Sequence, residues 1–271
     1  ISFNKRNGEL NGYRYQDKML LGHAPQPQFW RAPTDNDFGN RMGILCNVWR
    51  TAGQNKEFKG MNVERKDEAV TLTSIYYLRD VASDYTVKYT VYADGRVEVN
   101  GSWKAGSIAL PEIPRFGMQM TLAQEFDQFS WYGRGPWENY SDRNTASFIG
   151  KYTSTVDEQY VAYIRPQENG NKTDVRWLTL TNKEGFGLRI DGLQLLSVSA
   201  LRNYPEDFDA GLTKSQRHIN DINPRKAVVL HVDLAQRGVG GDNSWGMYPH
   251  EPYLLKAKEY TYGYVISPVV K

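Results

Sequence analysis

The sequence predicts an all-β protein, a single large antiparallel β-sandwich. Three observations carry that expectation. Apolar and polar residues alternate with a period of two through many segments rich in β-branched and aromatic side chains. Turn formers, not helices, join those segments, which argues against a βαβ plan. Sustained 3.6-residue periodicity is nearly absent.

Along the chain, the best helical stretch is 41–53, where Ile44, Leu45, Val48 and Trp49 share a face. Strands are expected over 70–77, 85–92 and 96–103. The last two meet at Ala93-Asp94-Gly95, whose Asp-Gly step supplies the positive φ of a tight hairpin. Strands at 116–122 and 128–132 follow. Segments 176–181 and 186–190 pair around Asn182-Lys183-Glu184-Gly185. Further strands are expected at 195–201, 227–234 and 260–266, with a short helical turn at 205–211. The irregular stretches near 23–41, 133–146, 203–225 and 236–252 are long enough to be functional loops. No Pro/Ser-rich linker and no fixed-period repeat divides the chain, so residues 1–271 read as one domain.

Composition narrows the function. The 33 basic and 31 acidic residues give a net charge of +2 and are well mixed, so a nucleic-acid partner is not expected. No apolar run approaches the roughly 20 residues of a membrane-spanning helix. Cys46 is the only cysteine, which excludes an intrachain disulfide. Four scattered histidines do not have zinc spacing, and no metal site is expected. The 18 tyrosines and 7 tryptophans suit stacking on pyranose faces, although a β core uses the same side chains. The start at Ile1 reads as that of a processed or excised piece, with any targeting signal upstream.

Five motifs stand out. In Arg31-Ala32-Pro33-Thr34-Asp35-Asn36-Asp37, Pro33 fixes the backbone, the three acidic or amide side chains favour Asx turns, and Arg31 can clamp a carboxylate with its planar fork. The spacing lacks the Gly and Glu of a calcium loop. In Gly135-Pro136-Trp137-Glu138-Asn139-Tyr140-Ser141-Asp142-Arg143, a network of Glu138, Asp142 and Arg143 is expected to pin the loop. Nothing in the spacing makes Glu138 and Asp142 an opposed glycosidase pair. Tyr163-Ile164-Arg165-Pro166-Gln167-Glu168-Asn169-Gly170 reads as a strand ending in a turn, with an architectural role. Ser215-Gln216-Arg217-His218 supplies a histidine, as does His231, with a pKa suited to acid–base work. Last is Gly240-Gly241-Asp242-Asn243-Ser244-Trp245, a flexible polar loop that ends in a tryptophan where a core residue would be unusual.

Together, in this order and across essentially the whole chain, these motifs resemble the C-terminal, small-chain region (domain 5) of the large bacterial lacZ-type β-galactosidases, glycoside hydrolase family 2. The resemblance implies a supersandwich fold similar to galactose mutarotase. It implies a non-catalytic region of a retaining enzyme that hydrolyses terminal β-D-galactosides, its two catalytic glutamates lying in an upstream barrel. No catalytic residue is therefore expected here, and the chain alone should be inactive. Trp245 is expected to stack on the leaving-group sugar, with Asp242, Asn243 and Ser244 beside it. Arg31, Asp35, Asn36, Asp37, Glu138, Asn139, Tyr140, Asp142, Arg143 and His218 are expected to shape loops or an interface. The chain itself needs no cofactor; magnesium, with sodium as a further candidate, belongs to the full-length enzyme. Its expected partners are the upstream barrel and sandwich domains, the sugar, and further copies in a homo-oligomer. The compartment, bacterial cytoplasm or periplasm, stays open. Two rival readings are a free-standing aldose epimerase using His218 or His231 with a carboxylate, and a lectin-like sugar-binding module.

Overall fold

The structure, a computed structural model, describes residues 1–212, 217–243 and 245–270. Two short antiparallel pairs come first: β1 (Ser2–Phe3) with β2 (Leu10–Gly12), and β3 (Arg14–Tyr15) with β4 (Lys18–Met19). Twelve strands then form one hydrogen-bonded array. They are β5 (His23–Gln28), β6 (Lys56–Lys66), β7 (Ala69–Leu78), β8 (Ser83–Tyr92), β9 (Val97–Lys104), β10 (Arg115–Ala123), β11 (Gln128–Gly135), β12 (Phe148–Thr155), β13 (Lys172–Thr181), β14 (Gly187–Leu201), β15 (Ala227–Gln236) and β16 (Glu259–Val269). Nine run in the order β12-β11-β13-β14-β16-β9-β8-β7-β6, and a branch β15-β10-β5 leaves from β14. All of these pairings are antiparallel.

The branch point makes the two layers. The first part of β14 pairs with β16, and its last residues, Ser197–Leu201, pair with β15. Between them the register against β13 jumps from Asp191 to Leu196, a large bulge that turns the strand from one sheet into the other. Aromatic contacts cross the gap between layers. Phe116 of β10 meets Tyr262 of β16 at 5.8 Å and Tyr85 of β8 at 6.5 Å, and Phe29 meets Tyr85 edge-on at 5.8 Å. Alternation is visible strand by strand: in β9, Val97, Val99 and Trp103 are buried and their neighbours are not.

Most expected strands are present with small shifts in their ends, but five expectations need correction. The strand expected to lead into the 166–170 turn is absent, residues 160–171 being irregular between β12 and β13. Segments 186–190 and 195–201 are one strand, β14, because the bulge bends the chain without ending its pairing. The expected helix over 41–53 is only α2 (Met42–Leu45) and a 3-10 turn at Asn47–Trp49. Arg41 enters α2 from a left-handed φ of 63°, and the core takes Met42, Cys46 and Trp49 while Ile44 and Leu45 are exposed. Residues 23–28, expected as loop, form β5. Pro25 and Pro27 are tolerated there because β5 pairs only with β10. Strands β6 and β12, the two edges of the long sheet, were missing from the sequence reading; their mixed polar sequences lack a buried face on which alternation shows. The expected helical turn near 205–211 is α3 (Pro205–Phe208).

Candidate functional site

Four of the five motif segments converge on one cleft of about 460 Å³. Its lining includes Asp35 and Asn36 from the first, Glu138, Tyr140 and Arg143 from the second, Tyr163, Gln167 and Glu168 from the third, and Gly240, Gly241 and Asn243 from the last. Thr34 and Val239 complete it.

The floor is tied together by buried charge. Thr34 caps α1 (Asp35–Gly39): its hydroxyl accepts from the Asp37 amide at 3.2 Å, and the Asp37 carboxylate accepts from the Thr34 amide at 3.0 Å. That carboxylate also takes a bidentate bond from Arg31, at 2.9 Å to each oxygen, and one from Arg237 at 2.7 Å. All three side chains are fully buried. Arg31 further donates to the carbonyls of Arg237 and Gly238, the latter at 2.9 Å, so residues 31–37 anchor the start of the 237–245 loop. The clamp that the Arg31 fork suggested is therefore made with Asp37. Asp35 instead faces Gln167 and Arg165, each at 3.3 Å.

The second loop is pinned differently from the expected triad. Glu138 accepts from Arg143 at 2.9 Å, from the Tyr163 hydroxyl, and from the Gly170 amide at 2.8 Å. Asp142 takes no part; it accepts from the Gly240 amide at 2.8 Å and so links this loop to the last one. Asn139 is buried, accepting from the Thr173 amide at 2.9 Å and its hydroxyl at 2.6 Å while donating to the Trp137 carbonyl at 3.0 Å. Tyr140 is buried on the cleft wall, and its hydroxyl has no hydrogen-bond partner among the described residues. Burial, reinforced by Glu138 and Glu168, raises its pKa well above the ordinary tyrosine value, so it is a neutral donor.

Asn36 and Asn243 fix the last loop. The Asn36 side chain accepts from the Gly246 amide and donates to the Met247 carbonyl, both at 2.9 Å. Asn243 accepts from the amides of Trp245 and Met247 at 3.1 and 3.2 Å. The backbone at Trp245 is thus held from two sides, yet its side chain is 75% exposed. Asp242 bonds His250 at 2.8 Å. Ser244, and with it Ser215 and Gln216, lies outside the described residues.

Several residues were not anticipated. Tyr163, Gln167 and Glu168 line the cleft, although the sequence reading gave their segment only an architectural role. Arg237, one residue past the end of β15, completes the Asp37 clamp without any local pattern to mark that role. His218 does not line the cleft; it is solvent-facing beside Asp221, at 3.5 Å. His231 is buried with its Nδ1 2.6 Å from Arg115, and burial followed by that positive neighbour pushes its pKa well below the usual value. An imidazole held neutral and closed to solvent cannot serve a sugar, so the epimerase reading finds no support in either histidine. Among the described residues no three His, Cys, Asp or Glu side chains converge as metal ligands.

The chain is similar to known proteins over nearly its whole length. The model of the β-galactosidase small-chain family matches residues 1–266. A β-galactosidase of Priestia megaterium is 38% identical over 98% of this chain and 25% of its own length. One from Halalkalibacterium halodurans is 31% identical over 96% of this chain and 25% of its own length. One from Streptococcus thermophilus is 30% identical over 99% of this chain and 26% of its own length. The chain therefore spans about a quarter of the length of these curated relatives. Among solved structures, a galactose mutarotase-related enzyme from Lactobacillus acidophilus is similar at 11% identity and a TM-score of 0.38, over 78% of this chain and 71% of that one. A family 36 α-galactosidase from Geobacillus stearothermophilus is similar at 10% identity and a TM-score of 0.39, over 93% of this chain and 28% of that one. On a family match over nearly its whole length, the chain belongs to the β-galactosidase small-chain family.

Proposed function

We propose that this chain is the non-catalytic region of a β-galactosidase that completes the mouth of an active site built elsewhere in the polypeptide, and that Trp245 meets the leaving-group sugar there. The catalytic glutamates, the magnesium, any sodium, and the homo-oligomer belong to the complete enzyme in this reading.

One observation carries it. Trp245 offers an indole that is mostly exposed on a backbone held by Asn36 and Asn243. A fixed loop with an unpacked aromatic face is a preorganised platform, because little further ordering is needed when a pyranose stacks on it. A tryptophan that packed a hairpin end would be buried.

The test is Trp245→Ala in the full-length enzyme. Loss of an aromatic platform should weaken glucose-side ligands by about 1–3 kcal/mol, toward the low end because one ring face stays wet. Ligands that fill only the galactose subsite should bind nearly as before. Unchanged inhibition by glucose-side ligands would reduce Trp245 to a packing residue.

A further inference from the structure

We infer that the cleft seats an extended carbohydrate, with Trp137 as a second stacking platform, so that the enzyme favours galactosides whose leaving group is itself an oligosaccharide. This rests on the reading that Trp245 faces the leaving-group side.

Trp137 is 79% exposed and directly precedes Glu138 on the cleft wall. A lone exposed tryptophan needs no explanation. This one is mounted rigidly. Its carbonyl accepts from the Asn139 side chain, whose own oxygen is bound to Thr173, and the Asn139 amide donates to the Asn171 carbonyl at 2.8 Å. The mount is therefore moored to β13 through buried bonds. Trp245 is held in the same manner beside a different part of the lining, two residues past Asn243. Two exposed indoles on fixed backbones thus accompany one polar cleft. Ile164, 83% exposed and next to Tyr163, widens the apolar rim.

The lining between them suits sugar hydroxyls. Asn243 offers its amide, Asp35 and Arg143 offer exposed charge of both signs, and the Tyr140 hydroxyl, without a partner among the described residues, stands in the wall. The volume of about 460 Å³ falls within the roughly 300–1,000 Å³ range of small-molecule sites. Mixed charge does not suit a phosphate. A protein surface docked here would bury Asp35 and Arg143, which desolvation penalises. A pyranose chain satisfies both kinds of surface, with its C–H faces on the indoles and its hydroxyls on the polar groups.

The test uses the full-length enzyme, lactose, and a galactose-terminated tetrasaccharide. Trp137→Ala should lower kcat/KM for the tetrasaccharide about 5- to 150-fold, the range of a lost stacking platform, and leave lactose within about twofold. Trp137→Phe should recover part of the loss. Trp245→Ala should reduce both substrates. An equal loss on both substrates in Trp137→Ala, or a lower Tm with an unchanged substrate ratio, would assign Trp137 to packing against the rest of the polypeptide and overturn the inference. If Trp245→Ala leaves lactose untouched, the reading of Trp245 fails instead, and the inference falls with it.

Discussion

Asp233 shows how burial rather than sequence sets a side chain's chemistry. It lies on β15 with both carboxylate oxygens buried and without a hydrogen bond among the described residues, 3.3 Å from Nε of Arg115. Burial, opposed by Arg115 and aided by Glu168, pushes its pKa from 3.8 up to about 8. Glu168, not Asp233, takes the charged bond from Arg115, at 2.7 Å. The folded state thus binds a proton that the unfolded state releases near pH 4. Stability from this group is fully present below that pH and is lost as pH rises through about 8. Asp233→Asn should therefore flatten the decline in Tm between pH 5 and 8, and parallel curves for the two proteins would refute the assignment. Lys172 works in a separate window. Burial lowers its pKa from 10.5 to about 8, against the pull of Glu138, so its contribution is present above about pH 10.5 and is lost as pH falls toward 8.

At the scale of elements, the site depends on contacts that local sequence cannot announce. Helix α1 holds the Trp245 loop at a separation only glycine allows: a Cβ on Gly39 would lie 2.0 Å from the Trp245 carbonyl oxygen and 2.6 Å from the Gly246 Cα. Backbone cannot yield by that much, so Gly39→Ala should move the loop and carry the Trp245 indole with it. In the full-length enzyme it should weaken inhibition by glucose in the same direction as Trp245→Ala. Unchanged glucose inhibition would mean that α1 does not set the loop. The central strands were legible because each has a buried face that writes alternation into its sequence, as in β8 and β9. The edges β5, β6 and β12 were not, since a strand with one neighbour can carry prolines or charge. The site was legible as motifs rich in turn formers. What stayed hidden was which partner each side chain takes: Arg237 reaches Asp37 across 200 positions, and Asp142 reaches Gly240 across 98.

For the molecule as a whole, the question is whether this cleft could cut a glycosidic bond unaided. Glu138 and Glu168 both line it, so a pair of carboxylates is at hand. Retaining or inverting hydrolysis needs one group free to give a proton and another free to attack or to activate water. Glu138 is committed to Arg143, Tyr163 and the Gly170 amide, and Glu168 to Arg115 and Gln236. With their oxygens taken up by these partners, neither carboxylate is free to give a proton, to attack or to activate water. The Glu138 bonds tie loops to one another and the Glu168 bonds tie its loop to β10 and β15, so the carboxylates act here as mortar. The chain also spans about a quarter of its curated relatives, which leaves most of such a polypeptide to supply the reacting groups. This chain, purified alone, should therefore give no turnover of a nitrophenyl β-galactoside above a buffer blank. Glu138→Gln should lower its melting temperature, since the carboxylate accepts three bonds that an amide cannot all replace, and should change no rate. Turnover that disappears in Glu138→Gln would place the chemistry in this cleft and reverse the division of labour argued here.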